Sequence, residues 1–320
     1  MKPLVSICIP TYNRSRCLKQ TLDSIVTQQE FLDGRVEVVI NDNASTDDTE
    51  QVGRCYEKEF KGIHYFRNNE NIRDRNFPTV VGRAKGKLRK LNNDTAVLEE
   101  GSLAYLCEME QKYENSRPLL FFSNENYVKR TGKTDTVLAF NEFLSKISYW
   151  VTWISSFSLW EDDCANIYTD FKFCDLQLWQ VGKICEIGSS DGIVAVCPPK
   201  LIHTITPKKK DISYGLYKVF YENYFKIIDS FVAQGSITEN IRSELEKDLF
   251  LDFFPDWIIQ WEMENSTFQY SSEEDLKKNV FEECKIKPYW NEFRRVYYRK
   301  KIITKVLEKL KWVAGNTPKS

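Results

Sequence analysis

Hydroxyl, amide and carboxylate side chains follow two short apolar runs near the start of the sequence. Val5–Ile9 is followed by Pro10-Thr11-Tyr12-Asn13-Arg14, and Val38–Ile40 is followed by Asn41-Asp42-Asn43-Ala44-Ser45-Thr46-Asp47. A helix-length segment separates the two runs, which is typical of a βαβ unit. Because open parallel sheets bind ligands at the carboxyl ends of their strands, these polar turns form the first candidate site.

Two further polar segments extend this pattern. Leu88–Leu91 is predicted to be another central strand that ends in Asn92-Asn93-Asp94. The loop Asn69–Asn76 contains the guanidinium groups of Arg73 and Arg75. Carboxylate and amide oxygens suit Mg²⁺ or Mn²⁺, and the guanidinium fork matches the oxygens of a phosphate.

The elements that position these turns alternate between strand and helix up to about residue 205. Further strands are predicted at 64–66, 119–122 and 154–159, and helices at 15–25, 79–84 and 101–113. This alternation predicts an α/β fold with a mainly parallel sheet flanked by helices. Beyond 207, apolar residues recur at helical spacing. We therefore predict a catalytic domain at 1–210 and a helical C-terminal region at 211–320.

Taken together, the turns resemble those of the inverting family 2 glycosyltransferases, which have the GT-A (Rossmann-like) fold. The resemblance covers residues 3 to about 205 and is closest to bacterial enzymes of O-antigen or capsule synthesis, including the abequosyltransferase-like group. It implies a nucleoside-diphosphate sugar donor, with a UDP-type nucleotide favoured. The nucleotide-binding residues implied by position are Pro10, Thr11, Tyr12, Asn13, Arg14, Asp42, Arg75, Asn76 and Asn93.

The resemblance also assigns roles within that set. The second carboxylate of the family's Asp-Asp pair accepts a hydrogen bond from the base, and Asp42 keeps this position while Asn41 replaces the first. Arg75 is implied to face the diphosphate, and Asn76 to brace the site. The neighbouring Arg73 and Asp74 depart from the small residues that are common in the family.

A metal site is implied at Asn92-Asn93-Asp94, which looks like an Asn-x-Asp version of the family's Asp-x-Asp motif. Asp94 would be the charged ligand of Mn²⁺ or Mg²⁺, and Asn92 would offer a neutral oxygen. His203 lies past the last predicted strand, where family members often recruit a further ligand, although an ordinary loop histidine fits equally well.

The catalytic base of the family is an Asp at the start of a helix on the acceptor side. Asp175, within Phe173–Trp179, fits this context, with Cys174 where Glu is usual. Asp162 is the runner-up, because Glu161-Asp162-Asp163 directly follows the strand predicted at 154–159. A carboxylate in either place would deprotonate the acceptor hydroxyl.

The resulting prediction is a metal-assisted glycosyltransferase that acts on a glycan or lipid-linked saccharide acceptor in bacterial surface polysaccharide synthesis. Two alternatives remain open. A sugar-phosphate nucleotidyltransferase has a similar design, but its Gly-rich basic loop is missing after the first strand. A non-catalytic nucleotide-binding or scaffold homologue is suggested by the Asn-for-Asp changes at Asn41 and Asn92.

Composition narrows the location and the partners. A formal net charge of -1 argues against a nucleic-acid binder. The nine cysteines form no CxxC pairs, which fits buried thiols in a reducing cytosol. The first strand begins too close to Met1 for a signal peptide, and no apolar window is long enough for a membrane span. We expect a cytoplasmic protein, and a peripheral position on the inner face of the cell membrane fits the same observations.

The C-terminal part carries a strong basic bias. Residues 293–313 mix Lys and Arg with Tyr, Ile, Leu and Trp at helical spacing. A basic amphipathic helix of this kind can lie on an anionic membrane surface. A helix that packs on its own domain and exposes a solvated basic face is an equally good interpretation, and a homo-oligomer contact is also open.

Overall fold

A computed structural model describes residues 2–126, 128–206, 215–263 and 275–315. Ten strands occur in these ranges. They are β1 (Val5–Thr11), β2 (Val36–Asp42), β3 (Ile63–Arg67), β4 (Leu88–Leu91), β5 (Ala96–Leu98), β6 (Leu119–Phe122), β7 (Thr136–Ala139), β8 (Ser158–Trp160), β9 (Ile193–Cys197) and β10 (Ile202–Thr204).

Helices connect and cover these strands. They are α1 (Ser15–Val26), α2 (Gln29–Leu32), α3 (Thr49–Glu59), α4 (Asn76–Arg83), α5 (Ser102–Tyr113), α6 (Val128–Thr131), α7 (Phe140–Ile147), α8 (Trp179–Asp191), α9 (Tyr224–Ala233), α10 (Glu239–Asp248), α11 (Phe254–Glu262), α12 (Leu276–Lys285) and α13 (Trp290–Gly315). Single turns of π-helix precede α9 and α11, at Lys218–Asn223 and Leu249–Phe253.

The main sheet has five strands in the order β3-β2-β1-β4-β8. The first four are parallel, and β8 runs antiparallel to β4. A second sheet, β6-β9-β7, combines a parallel and an antiparallel pair, and β5 pairs with β10. The α/β class with flanking helices is confirmed, although the sheet is mixed rather than a single mainly parallel one.

Both faces of the main sheet are buried, which explains the near-continuous apolar runs of its inner strands. Alternate residues of β1 and β2 enter different cores: Ile7 and Val38 face α1 and α5, whereas Cys8 and Val39 face α4 and the rest of the chain. The second core continues into the C-terminal helices, for example to Phe225. Helices after residue 215 therefore pack directly on the α/β part.

The segment predicted as a strand at 154–159 differs most from expectation. Ile154–Ser156 is a short 3-10 turn, and only Ser158–Trp160 forms a strand. That strand runs antiparallel to β4. The boundary predicted near residue 210 lies outside the described residues.

The thiol prediction is confirmed for most cysteines. All nine are free, and all except Cys55 are buried. Burial raises the pKa of Cys185 and Cys8 well above the usual value, so these thiols stay protonated.

Candidate active site

The polar turns predicted to form the site lie side by side at one edge of the main sheet. Thr11 is paired with Asp42 in the parallel register of β1 and β2. On the other side of β1, Cys8 is paired with Leu91, and the Asn92 amide donates to the Cys8 carbonyl at 2.9 Å. The carboxyl ends of three parallel strands therefore carry the turns after β1, β2 and β4.

Asp94 is the carboxylate at the centre of this edge. Its side chain is only 2% exposed. The Thr11 hydroxyl donates to Oδ2 at 2.8 Å, and the Arg14 guanidinium donates to Oδ1 at 3.0 Å. The Thr21 hydroxyl holds the Asp94 carbonyl at 2.9 Å. The structure thus joins residues that are about 80 positions apart in sequence.

The Asp94 carboxylate has lone pairs that its hydrogen bonds do not use. An ionised carboxylate offers about four acceptor positions, and Thr11 and Arg14 occupy one on each oxygen. Asp94 can therefore also bind a divalent cation through one oxygen, with phosphate oxygens and water as the other ligands of the cation.

Asp42 is fully buried and tightly held. Its oxygens accept hydrogen bonds from the Tyr65 hydroxyl at 2.6 Å and the Ser45 amide at 2.9 Å, and Arg67 lies 3.7 Å away. Burial and the adjacent Asp42 raise the pKa of Tyr65 above its usual range. The sequence analysis did not identify Tyr65 and Arg67 as site residues. The signal was their spacing of two on β3, which places both side chains on one face of the sheet, opposite Phe66.

The turns after β1 and β2 are tied to each other. The Asn13 amide donates to the Ser45 hydroxyl at 2.8 Å, and the Asn13 side chain accepts from the Thr46 amide at 2.7 Å. Asn13 has a φ of 52°, in the left-handed region that asparagine tolerates better than most residues. Pro10 and Tyr12 are half-buried between these contacts.

A group of asparagines fixes the loop after β3 to the end of β2. The buried Asn76 donates to the Asn41 carbonyl at 2.9 Å and accepts from Asn41 and Asn68. Asn43 receives the Ile72 amide at 2.9 Å. The bracing position predicted for Asn76 is therefore occupied by a side chain with several partners.

Asn92 and Asn93 contribute differently to the third turn. The Asn92 side-chain amide donates to the Asn93 and Ala96 carbonyls at 3.0 and 2.9 Å, so only its oxygen is available to a cation. The Asn93 amide donates to the Ser155 hydroxyl at 3.0 Å. Ser155, which the sequence did not single out, thereby fixes the turn that carries Asp94.

The basic residues of β4, and Lys87 just before it, each have a structural partner. Lys87 pairs with Glu114, and Arg89 donates to the Val81 carbonyl at 3.1 Å. Lys90 is 2% exposed and donates to the Ser155 carbonyl at 2.5 Å. Burial lowers the pKa of Lys90 to about 7. Lys90 and Asn93 therefore hold the same serine from two sides.

His203 lies on β10 opposite Val97, is about half exposed, and its Nδ1 is 3.2 Å from Glu99 Oε1. Within the described ranges, no cluster of three His, Cys, Asp or Glu side chains could hold a metal ion. The structure therefore gives His203 a carboxylate partner, and its role as a metal ligand stays a prediction.

Asp175 lies on the side of the site that the loop after β3 covers. It is exposed on a 3-10 turn, Cys174–Leu176, and α8 begins only at Trp179. This turn packs on the turn Arg73–Arg75. Arg75 is exposed and stacks on the Phe171 ring at 5.2 Å. Asp175 and Arg75 therefore share one surface, although Asp175 precedes the helix rather than starting it.

Asp74 is a further carboxylate in this neighbourhood. Burial raises the pKa of its carboxyl group to about 7, and the adjacent Arg73 opposes this shift only weakly. The charges of Asp74, Asp170 and Asp175 all act on the Cys174 thiol, which burial and these charges raise to a pKa of about 12. Three carboxylates therefore lie close to this turn.

Asp162 is at the wrong end of the sheet to act as the base. Because β8 is antiparallel, Trp160 pairs with Leu88, the first residue of β4, and the Glu161 amide donates to the Lys87 carbonyl. Asp162 is exposed there and pairs with Arg117. The runner-up prediction assumed a strand that ends at the site, and the reversed direction of β8 overturns it.

A groove of about 290 Å³ opens beside the loop after β3, residues 68–76. It is lined by Arg67, Asn68, Asn69, Glu70, Ile72 and Arg83. Arg83 lies over the Phe66 ring at 4.4 Å. None of the residues predicted for the site lines this groove, but Arg67 connects it to Asp42.

Comparison with known proteins identifies the region that contains the first two turns. Residues 6–88 match the model of glycosyl transferase family 2. The similarity to family 2 therefore covers residues 6–88, which we call the family 2 domain. The family 2 domain includes β1 to β3, the loop after β3 and the start of β4, and Asp94 lies six residues after its last residue.

Two relatives of known name align with part of this chain. Abequosyltransferase RfbV of Salmonella typhimurium is 38% identical over 132 residues, which cover 40% of this chain and 37% of RfbV. GalNAc(5)-diNAcBac-PP-undecaprenol beta-1,3-glucosyltransferase of Campylobacter jejuni is 31% identical over 108 residues, 33% of this chain and 34% of that protein. The alignments thus span about a third of each relative.

Solved structures extend the similarity to most of the chain. Staphylococcus aureus TarS 1–349 in complex with UDP-GlcNAc has a TM-score of 0.59 at 15% identity, over 94% of this chain and 89% of TarS 1–349. The mannosyltransferase PcManGT of Pyrobaculum calidifontis, in complex with GDP-Man and Mn²⁺, has a TM-score of 0.56 at 14% identity, over 94% and 88%. The fold around the family 2 domain is therefore of the GT-A type.

Proposed function

We propose that this protein transfers a sugar from a nucleoside-diphosphate sugar to a hydroxyl group of a glycan or lipid-linked saccharide, with inversion at the anomeric carbon. The observation that supports this most directly is Asp94. It is a buried carboxylate, held by Thr11 and Arg14 at the strand ends of a family 2 domain. Such an arrangement suits a diphosphate together with its cation.

Nucleotide binding is assigned to the turns that meet at this edge. One side of the nucleotide contacts the turn after β1, which comprises Pro10, Thr11, Tyr12, Asn13 and Arg14. Asp42 accepts a hydrogen bond from the base. TarS was solved with UDP-GlcNAc and with UDP, which supports a UDP-type nucleotide for this chain. Because Asp42 already accepts from Tyr65 and Ser45, its contact with the base uses a remaining lone pair.

GT-A enzymes of family 2 commonly use a divalent ion, and PcManGT contains Mn²⁺. In this chain Asp94 would provide the charged ligand and Asn92 a neutral oxygen for Mn²⁺ or Mg²⁺. The bound ion would neutralise negative charge on the departing diphosphate. Arg14 adds a positive charge at the same place, and Arg75 approaches from the loop after β3.

Proton transfer is assigned to Asp175. As the acceptor oxygen forms its bond to the anomeric carbon, the bond to the diphosphate breaks and the hydroxyl proton passes to the Asp175 carboxylate. An exposed carboxylate on the surface that also carries Arg75 can meet an acceptor that arrives from solvent. Attack on the face opposite the diphosphate inverts the configuration.

The acceptor is assigned to the saccharides of bacterial surface polysaccharide synthesis. The name of the Campylobacter relative gives a saccharide on undecaprenyl diphosphate as its acceptor. An acceptor of that kind would place this protein on the cytoplasmic face of the cell membrane, with residues 293–313 as the contact. No helix among the described residues is long and apolar enough to cross a membrane.

A hydrolysis screen across UDP-, GDP-, CDP- and TDP-sugars with Mn²⁺ tests the proposal and identifies the donor. Slow release of a nucleoside diphosphate from one donor, accelerated by a saccharide acceptor, is the expected result. Nucleotide binding without release would favour the non-catalytic alternative. Formation of a nucleotide sugar from a nucleoside triphosphate and a sugar phosphate would instead show a nucleotidyltransferase.

A further inference from the structure

Helix α13 has one face that packs on the protein. Phe293 and Tyr297 are almost completely buried, and the hydroxyl of Tyr297 donates to Glu262 at 2.7 Å. One turn further, Lys300 forms an ion pair with Asp256 at 2.8 Å. Because residues three or four apart share a helix face, these contacts fix which side of α13 points inwards.

The opposite face of α13 exposes apolar side chains. Tyr298, Ile302 and Val306 are spaced four residues apart and are 50%, 64% and 50% exposed. Ile303 and Leu307 flank this stripe and are about half exposed. Contiguous apolar side chains at the surface of a helix indicate a contact with another surface.

The same outer face is strongly basic. Arg295, Arg299 and Lys305 alternate with the apolar stripe and have no hydrogen-bond or ion-pair partner in the described parts of the chain. The sequence contains no Asp or Glu between 293 and 307. The outer face of α13 therefore combines exposed apolar side chains with positive charges that form no ion pair with the described residues.

We propose that this outer face (Arg295, Tyr298, Arg299, Ile302, Lys305 and Val306) binds an anionic phospholipid surface. The apolar side chains enter the boundary between headgroups and acyl chains, and the guanidinium and ammonium groups contact lipid phosphates. This extends the membrane contact included in the proposed function by naming the residues and the lipid charge.

Charge argues for lipid over a second copy of the chain. In a symmetric dimer, two outer faces of α13 would meet, and each would bring Arg295, Arg299 and Lys305 without acidic partners between 293 and 307. Like charges at such an interface repel each other. An anionic bilayer supplies the missing negative charge and also accepts the apolar stripe.

Vesicle co-sedimentation of the full chain tests this directly. The expected result is binding to vesicles that contain phosphatidylglycerol, weak binding to phosphatidylcholine alone, and loss of binding at high salt. Arg295→Glu together with Arg299→Glu should weaken binding about thirtyfold or more. Lys58→Glu with Lys61→Glu is the matched control, since it changes the net charge equally at exposed positions in the last turn of α3 and just after it.

The apolar part of the contact is tested separately. Ile302→Ser with Val306→Ser should weaken binding about tenfold, and Leu32→Ser, at a similarly exposed position on α2, should leave it unchanged. Circular dichroism checks that each variant is folded.

Equal binding to neutral and anionic vesicles, or unchanged binding of the Arg295/Arg299 variant, would overturn the proposal. A lipid-free dimer that the Ile302/Val306 variant dissociates would assign the face to a second copy. Transfer to a soluble acceptor, measured in parallel, distinguishes these results from a failure of the proposed reaction, because it needs no membrane.

Discussion

The donor side and the acceptor side of the candidate site are built in opposite ways. At the ends of β1, β2 and β4, Asp42 and Asp94 are buried and each oxygen has a partner. On the acceptor side, Asp175 is exposed on a short 3-10 turn. The carboxylates of the proposed donor side are thus held by internal hydrogen bonds, whereas the proposed acceptor side presents its carboxylate to solvent.

This difference has a physical origin. A buried charge is tolerated only when it is hydrogen-bonded or paired, so strand-end carboxylates require partners from several elements. A general base must instead exchange a proton with an incoming hydroxyl, which requires access. Substitutions on the donor side should therefore affect binding and stability, and substitutions on the acceptor side should affect turnover alone.

The largest expected effect is that of Asp94→Ala on transfer. It removes the charged ligand of the cation and the partner of Arg14, so kcat/KM should fall by about 10⁴. Steady-state kinetics with the donor found in the screen measures this. Asp162→Ala, an exposed carboxylate at the opposite edge of the sheet, is the control and should retain activity. A decrease in kcat/KM of less than tenfold for Asp94→Ala would show that Asp94 takes no part in the reaction.

Asp175→Asn should lower kcat by about 10³, the typical size of a lost general base. The affinity for the nucleoside diphosphate should stay within about twofold, because no donor-side contact is changed. Kinetics and calorimetry of the same sample separate the two quantities. An equal loss of nucleotide affinity would mean that this turn belongs to the donor side and that another group is the base.

Asn76→Ala tests the stability of the donor side. The variant removes the side-chain donor to the buried Asn41 carbonyl and one of the two acceptors of the Asn41 side-chain amide, which should lower the free energy of unfolding by about 2 kcal/mol. Urea denaturation measures this, and the exposed Asn69→Ala in the same loop is the control. A change no larger than that of the control would show that the asparagine group contributes little to the site.

Asp74→Asn should have the smallest effect, and one that depends on pH. Burial raises the pKa of Asp74 to about 7 in the folded protein, so the folded state favours the protonated form. The stability that this gives is present below the unfolded pKa near 4 and is lost as the pH rises through 7. The variant should be more stable than the parent by about 1 kcal/mol at pH 8 and equal to it at pH 4.

Urea denaturation at the two pH values checks the Asp74 prediction. Glu70→Gln, in the same loop but exposed, should show no pH-dependent difference from the parent. An equal gain at both pH values would assign the effect to packing rather than to the buried charge.

The sequence predicts the donor side well because its signals are local. Continuous apolar runs followed by polar turns located β1 and β2, and the Asn92-Asn93-Asp94 motif located the end of β4. Parallel pairing then brings Thr11, Asp42 and Asp94 to one edge. It could not predict the partners of those carboxylates. Tyr65 and Ser155 reach the site through strand register and a 3-10 turn, which have no pattern in the local sequence.

The acceptor side was harder to predict because its geometry depends on strand direction. The apolar segment 154–159 has no feature that distinguishes a parallel from an antiparallel strand, and the direction of β8 decides that Asp162 lies far from Asp94. Likewise, the pairing of β10 with β5, which the local sequence does not predict, decides that His203 faces Glu99. In both cases a long-range contact, rather than composition, sets the position of the side chain.

Calorimetric titration of UDP, with and without Mn²⁺, into the parent protein and Asp94→Asn tests the central claim most directly. If Asp94 holds the cation and the diphosphate at the strand ends, Mn²⁺ should strengthen UDP binding to the parent at least tenfold and leave binding to the variant unchanged. The same strengthening by Mn²⁺ in both proteins would contradict the account.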